Sequence, residues 1–571
     1  MKIQLSNEWR YLVIICIASV IVMLPIVIFG IPAGNDLEQH FQFAQTYYNS
    51  ILSGDGFPNW SSSENFGYGS IGIRFYPPLA YYVLAFARMI AGSWFDSAWL
   101  AFMFWMALGC IGVYYWSRCW LSPKESAIAG IFYAFSLYHL NQLYISFVYA
   151  DFAGASVLPF CFAFMTRVVK RERKSDILYL GVSYAGLVLT HLPTTVIGSL
   201  ALAVYFFVVV NKSSFLRQII KTSLGIAFGL AASSFYWVRM VSEMSWLNHS
   251  SDEYSSGHYY FANQFFPLSL HASSVAYKPN LVQADILMAL CLLFLASAVV
   301  YLFYRRTNPS ETNPEAHVFR FVLPIGIFAF AMATDLSYPI WKILTPLQKV
   351  QFPLRWMSVV SMCGAVVTAA SVHFLLKGGF LKRRAWIYIS IIFVALFSIV
   401  NITYTLHPSS FVPIPRQDFE AQMRDLPEQK NRTFWWSIWS KPDALKITEK
   451  VVTGNRQSTV TNWKPEERDF TIKAGEQGFA RVATFWYPRW RAEVNGTLVE
   501  VSHDDNGAIL IPIPAQEATV RLWFQEPAAI TLAAVLSMLT WLLLILSLAF
   551  SFTIRLRHRK RSASAQEVFA T

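Results

Sequence analysis

The sequence predicts a polytopic α-helical membrane protein of about twelve transmembrane helices, with a small β-sandwich-like domain near the C-terminus. Hydrophobic residues fill 55% of the 571 positions and charged residues only 14%, too little charge to cover soluble domains of that length. The apolar residues gather into runs as long as a bilayer is thick. Between residues 406 and 527 the pattern turns polar, tryptophan-rich and alternating, as half-buried strands require. Disordered, collagenous and disulfide-rich classes are excluded by the composition.

The first run, 11–31, follows Lys2 and Arg10. It is too long for a signal-peptide core and reads as a retained anchor. Further runs cover 99–115, 127–144, 154–169, 177–189, 195–210, 224–241, 286–304, 318–333, 358–376, 387–404 and 528–550. The segment 77–91 is apolar but short and carries Arg88. If it were a span, the basic loop Arg167 to Lys174 would move outside and every later basic loop would invert, against the positive-inside rule. It is expected instead to lie along the outer interface, within a long first outer loop, 32–96. The expected organisation is a transmembrane domain over 1–404, an outer β-rich domain over 405–527, a last span over 528–551 and a basic tail over 552–571. Both termini are expected to be cytoplasmic, in a bacterial inner membrane.

The net charge of +12 does not point to nucleic acid, because the positives flank apolar runs and form no single stripe. Cys16, Cys110, Cys161, Cys291 and Cys363 lie inside apolar runs and Cys119 beside a basic loop, without metal-ligand spacing. In the β-rich domain, Asn495-Gly496 is a strong hairpin signal and Asp504 to Gly507 a second turn. No catalytic constellation shows there.

The densest polar sequence beside an apolar run is Gly34-Asn35-Asp36-Leu37-Glu38-Gln39-His40. A helix starting at Asn35 or Asp36 would put Asp36 and His40 on one face a turn apart, with Glu38 pointing elsewhere. Paired acids at a membrane surface serve as a general base with an orienting partner, or bind a divalent metal. The plainer reading is a capped, dipole-complemented helix N-terminus. Trp60, Tyr76 and their neighbours offer flat faces for stacking on sugar or for the interface. His191, in the break Thr190-His191-Leu192-Pro193, is either a site residue or a polar cap, the cap being the simpler account.

Gly34 to His40, Asp55 to Trp60, Gly67 to Gly69, Tyr76-Pro77-Pro78-Leu79, Gln351 to Trp356 and Trp486 to Gly496 resemble the bacterial "6-pyruvoyl-tetrahydropterin synthase-related" membrane proteins. More broadly, the acidic pair after the first span and the long outer loop resemble GT-C glycosyltransferases, which take sugar from polyprenyl-phosphate carriers. No histidine triad with zinc-ligand spacing accompanies the pterin name, so pterin chemistry is set aside.

The resemblance implies an active site on the outer face with Asp36 as catalytic base and Glu38 as its partner or a metal ligand. Asp151 stands where a second acidic motif is expected, as a lone acid; whether a divalent metal takes part is left unassigned. Arg355, in Gln351 to Trp356, is the leading phosphate clamp, with a lipid-headgroup role as its counterpart reading. Arg239 and Lys349 are weaker clamps, while Asp252, Glu253, Tyr254 and His258 are candidates for an acceptor groove. His40, Trp60, Tyr76, Asp151, His191, Arg239, Gln351 and Arg355 make up the expected substrate-binding set.

The expected function is sugar transfer from a polyprenyl-phosphate donor to a cell-envelope glycan or lipid. The rivals are a lipid-linked-sugar flippase and a non-catalytic envelope assembly factor. A flippase would show internal repeats and paired midplane charges. The sequence shows no clear repeat, and His373 is the main lone intramembrane ionisable group.

Overall fold

The computed structural model describes residues 5–568 apart from 35, 172, 249–256, 258–259, 266–295, 303, 307–313, 378–410, 427–428 and 430–431. Among the described residues eight helices are long and apolar enough to cross a membrane: Glu8–Phe29, Trp94–Ser117, Tyr149–Arg171, Leu192–Val209, Lys212–Ala232, Ala316–Ala333, Pro353–Leu375 and Ala528–Phe550. The Lys174–Thr190 helix, at 17 residues, is shorter than these. The expected run 387–404 and most of 286–304 lie outside the described residues, and a count of twelve is not reached within them.

Two expected spans are broken. The 127–144 run splits into a helix, Pro123–Ala134, a single turn, Leu137–Leu140, and a π-helical turn, Asn141–Ile145. The 224–241 run breaks at Ser233 between Phe215–Ala232 and Ser234–Glu243. There the Ser233 hydroxyl donates to the Gly229 carbonyl and Ser234 to those of Ala231 and Ala533, side-chain bonding that competes with the helical ladder. Both breaks carry buried polar residues, which a continuous lipid-facing helix would not tolerate.

The short apolar segment forms a 13-residue helix, Leu79–Ala91, ended by left-handed Gly92. Ser93 caps the next helix by accepting from the Asp96 amide. The Trp94–Ser117 helix packs on Tyr149–Arg171, Pro123–Ala134 and Leu5–Phe29, forming the centre of the helical bundle. A two-stranded ribbon pairs Ile31–Pro32 with Pro413–Ile414, fastening the end of the first helix to the chain entering the β-rich region.

That region folds as two antiparallel sheets. One runs in the order Ser458–Lys464, Glu467–Ile472, Ala518–Phe524, Trp490–Val494, Thr497–Val499; the other in the order Val451–Val452, Gly478–Phe485, Ala508–Ile513, Ser502–His503. Alternate residues Phe470, Ile472, Val520, Leu522, Ala492, Val482 and Ile511 are buried in one core, the period-2 pattern of sheets with one face inward. Asn495 and Gly496, both at positive φ (50° and 80°), make the tight hairpin that sets Val494 opposite Thr497.

Candidate active site

A cavity of about 1070 Å³ lies where the first loop meets three helix N-termini. Asp36, His40, Tyr76, Asp151, His191, Gln351 and Arg355 all line it, together with Lys349 and Arg432. Asp151 stands in the first turn of Tyr149–Arg171, His191 caps Leu192–Val209, and Arg355 belongs to the opening turn of Pro353–Leu375. The positive ends of three helix dipoles therefore face one space, an arrangement that favours an anion there.

Asp36 precedes the Leu37–Leu52 helix, but its side chain makes no cap bond to the helix. Instead Arg432 Nη1 donates to Asp36 Oδ1 at 2.8 Å, in a partly exposed pair. Gly34 fixes the approach: a Cβ there would lie 2.2 Å from that of Phe147, so only glycine lets the loop pass. One turn on, His40 is buried among Tyr76, Tyr81 and Tyr149, with Nδ1 2.8 Å from the Tyr81 hydroxyl. Burial pulls its basicity down to about 4, against the opposing pull of Asp36, so the ring is neutral at pH 7. Burial likewise pushes the Tyr76 phenol well above its ordinary value.

Asp151 is the most heavily bonded acid of the cavity. Its Oδ1 accepts from Thr194 Oγ1 at 2.9 Å and lies 3.3 Å from His191 Nδ1. Its Oδ2 accepts from the Tyr138 hydroxyl at 3.3 Å and lies 3.8 Å from Arg355 Nε. His191 combines the two roles open to it: it caps a helix and it lines the cavity. Pro193, in the first turn, favours the helix start there. Burial lowers the basicity of His191, with Asp151 opposing.

Arg355 is steered by its own segment: Nη1 donates to the Val350 carbonyl at 2.5 Å, and the guanidinium lies over the Phe352 ring. Between them Gln351 adopts φ 68°, a left-handed conformation that costs a non-glycine residue energy and persists only where its surroundings enforce it.

Three expected residues do not reach the cavity. Glu38 is exposed on the outer side of the helix, where Gln422 Nε2 donates to it at 3.2 Å. Two residues turn a helix by about 200°, which separates it from Asp36. Trp60 is fully buried against Trp490, Phe524 and Tyr487 of the β-rich region, so its faces are closed to a sugar. Arg239 is buried too, donating to Asn59 Oδ1 at 3.1 Å and 4.0 Å from Glu526. It borders a cluster in which Arg74 grips Glu243 through Nε (2.8 Å) and Nη2 (2.9 Å) and Glu526 through Nη1. Tyr487 and Arg489 also donate to Glu243. Lone desolvation would raise the Glu243 carboxyl, but Arg74 and the other donors hold it below the usual carboxylate range. Asp252, Glu253, Tyr254 and His258 lie outside the described residues.

The sequence reading missed Arg432, Tyr138, Thr194, Gln39, Asn141 and Gln142, all brought to the site. Only Thr194, three residues past His191, had a local signal, the spacing of a capping contact. Among the described residues no group of three His, Cys, Asp or Glu side chains gathers as a metal site. His373 is paired, with Nδ1 2.8 Å from Glu125 Oε1.

Among solved structures, the chain is similar to the oligosaccharyltransferase AglB of Archaeoglobus fulgidus, in complex with an inhibitory peptide and a dolichol-phosphate. That likeness has 13% identity and a TM-score of 0.36, over 76% of this chain and 61% of that one. It is also similar to ArnT of Cupriavidus metallidurans bound to undecaprenyl phosphate, at 12% identity and a TM-score of 0.29, over 65% of this chain and 78% of that one. An uncharacterized protein of Lactococcus lactis subsp. cremoris (strain MG1363) is 21% identical over 280 residues, 47% of this chain; the chain spans less than half (44%) of that relative. Residues 73–409, more than half of the chain, match the model of a family described as "6-pyruvoyl-tetrahydropterin synthase related domain; membrane protein", and the chain belongs to that family of membrane proteins.

Proposed function

We propose that the chain is a membrane glycosyltransferase of the GT-C kind. It transfers a sugar from a polyprenyl-phosphate carrier to a cell-envelope glycan or lipid at the outer face of a bacterial inner membrane. The observation that carries this reading is that Asp36 and Arg355, an acid and a cation far apart in the chain, line one cavity at the ends of membrane helices.

In this reading Arg355 and Lys349 hold the donor phosphate among the three helix N-termini, where a planar fork and fixed dipoles suit it. Asp36 takes the proton of the acceptor hydroxyl as its oxygen attacks the anomeric carbon. The bond from that carbon to the phosphate oxygen breaks, and polyprenyl phosphate leaves with the electron pair, giving inversion. Asp36 suits the base role better than Asp151, whose two oxygens are committed to Thr194, His191, Tyr138 and Arg355. The exposed contact of Arg432 with Asp36 is of a class worth about 0–1 kcal/mol, so it orients the carboxylate without locking it. Glu38 has no part in the step, and Tyr76 and Trp435 are part-exposed aromatic residues lining the cavity where the sugar would lie. The basic loops favour cytoplasmic termini, with the cavity and β-rich region in the periplasm.

The test uses purified full-length protein and labelled polyprenyl-phosphate sugars. Wild type should release polyprenyl phosphate and label an envelope acceptor, and Asp36→Asn should lose at least about 100-fold of that activity with an unchanged melting temperature. Undiminished transfer by the variant removes Asp36 from the role. Carrier movement across a vesicle without bond cleavage favours a flippase.

A further inference from the structure

Three carboxamides line the cavity with polar atoms that no described residue satisfies. Gln39 is 5% exposed, and neither its Oε1 nor its Nε2 has a hydrogen-bond partner among the described residues. Gln142 is 1% exposed; its Oε1 lies 3.0 Å from His139 Nδ1, which leaves Nε2 unpaired. Asn141 is 6% exposed with Oδ1 unpaired. Buried polar groups are nearly always satisfied, so several orphans facing one cavity mark a place where a ligand supplies the partners.

The backbone is shaped for the same end. Asn141 and Gln142 open the π-helical turn, and such turns recur at functional sites because they aim side chains a regular helix would direct elsewhere. Gln39 reaches the same cavity from a different element, the Leu37–Leu52 helix, one residue before His40.

We infer that these amides form a subsite for an uncharged, hydroxyl-rich sugar, which deepens the glycosyltransferase reading and rests on it. An amide offers both a donor and an acceptor, and a hydroxyl answers either. The amides carry no charge, and the cavity's cations are already engaged, Arg432 by Asp36 and Arg355 and Lys349 by the donor phosphate, so a sugar carboxylate has none to itself. A sugar ammonium would have to compete with Arg432 for Asp36 and with Arg355, Thr194 and Tyr138 for Asp151, and gains nothing from the amides that a hydroxyl does not. The subsite therefore selects a neutral hexose or pentose over a uronic acid or amino sugar.

The experiment measures binding by intrinsic tryptophan fluorescence of the full-length protein in detergent. The probes are glucosyl, glucuronosyl and glucosaminyl polyprenyl phosphates, and polyprenyl phosphate alone. The glucosyl lipid should bind at least about 10-fold tighter than the two charged ones, since leaving built-in hydrogen-bonding groups unmatched is strongly discriminating. Gln39→Leu and Gln142→Leu should each lose about 10-fold for the glucosyl lipid and nothing for the bare phosphate. Gln39→Leu removes no side-chain hydrogen bond among the described residues, and an unchanged melting temperature confirms that folding does not confound it. Equal affinity for charged and neutral sugars, or equal losses for bare polyprenyl phosphate, overturns the inference. Neutral-sugar preference without turnover on any acceptor upholds the subsite and overturns the transfer reading. Turnover indifferent to both amide substitutions does the reverse.

Discussion

Asp151 and Arg355 meet across the cavity from the first turns of two different membrane helices, Nε to Oδ2 at 3.8 Å. Neither is left to the other alone: Asp151 is also held by Thr194, His191 and Tyr138, and Arg355 by the Val350 carbonyl and the Phe352 ring. The arginine therefore presents its fork in a fixed direction, which is what recognition of a tetrahedral anion requires.

Substitutions at this pair should separate stability from binding. Asp151→Ala strips the acceptor from the Thr194 and Tyr138 hydroxyls and the counter-charge from Arg355, and should cost about 3–5 kcal/mol. Arg355→Lys keeps the charge but loses the fork; donor KM should rise about 10-fold with the melting temperature nearly unchanged. Thermal melts beside donor titrations read the two effects.

His40 should leave a signature in the pH dependence of stability. The unfolded chain protonates this histidine near 6.5, the folded one only at about 4. As pH falls between those values the unfolded state binds a proton that the folded state refuses, so stability declines, by up to about 3 kcal/mol. Above pH 6.5 the contribution is complete. His40→Gln should flatten that slope in melting temperatures taken from pH 7 to 4.

The Arg74–Glu243 pair predicts acid sensitivity in a lower range. Its folded carboxyl lies below the ordinary glutamate value of 4.5, so its stabilisation is present above that value and disappears as pH falls through the lower, folded one. Arg74→Leu, leaving Glu243 and Glu526 buried or half-buried with fewer partners, should cost about 3–5 kcal/mol. The double variant Arg74→Leu with Glu243→Leu should recover part of the loss, measured by denaturant or thermal melting.

Gly34→Ala places a methyl 2.2 Å from the Phe147 Cβ, so one of the two loops must move. Transfer should fall at least about 10-fold because Asp36 is displaced, and a structural shift of the Asp36 loop would be visible crystallographically. An alanine variant with wild-type turnover would show that the loop has room.

What was legible in the sequence was whatever is written locally. Long apolar runs announced spans, and Asn495-Gly496 announced its hairpin because only certain residues accept two positive φ values in a row. The Asp36/His40 face followed from helical periodicity. The breaks at Ser136 to Gln142 and at Ser233 did not, because apolar averaging hides a few buried polar residues. Trp60 and Arg239 misled for a shared reason: their partners, Trp490 and Glu526, lie hundreds of positions downstream, and no local pattern says whether an aromatic or a cation faces a cavity or a neighbouring unit. Arg432 was invisible for the same reason, pairing with Asp36 across 396 positions.

The buried charges around Arg74 bear on how firmly the sheet region is mounted. Arg74 of the first loop holds Glu526 at the root of the last helix and Glu243 at the tip of another, and Glu243 in turn accepts from Tyr487 and Arg489 of the sheet region. Moving the sheets away would bare several ions at once, so the sheet region is bolted to these helices as one rigid piece.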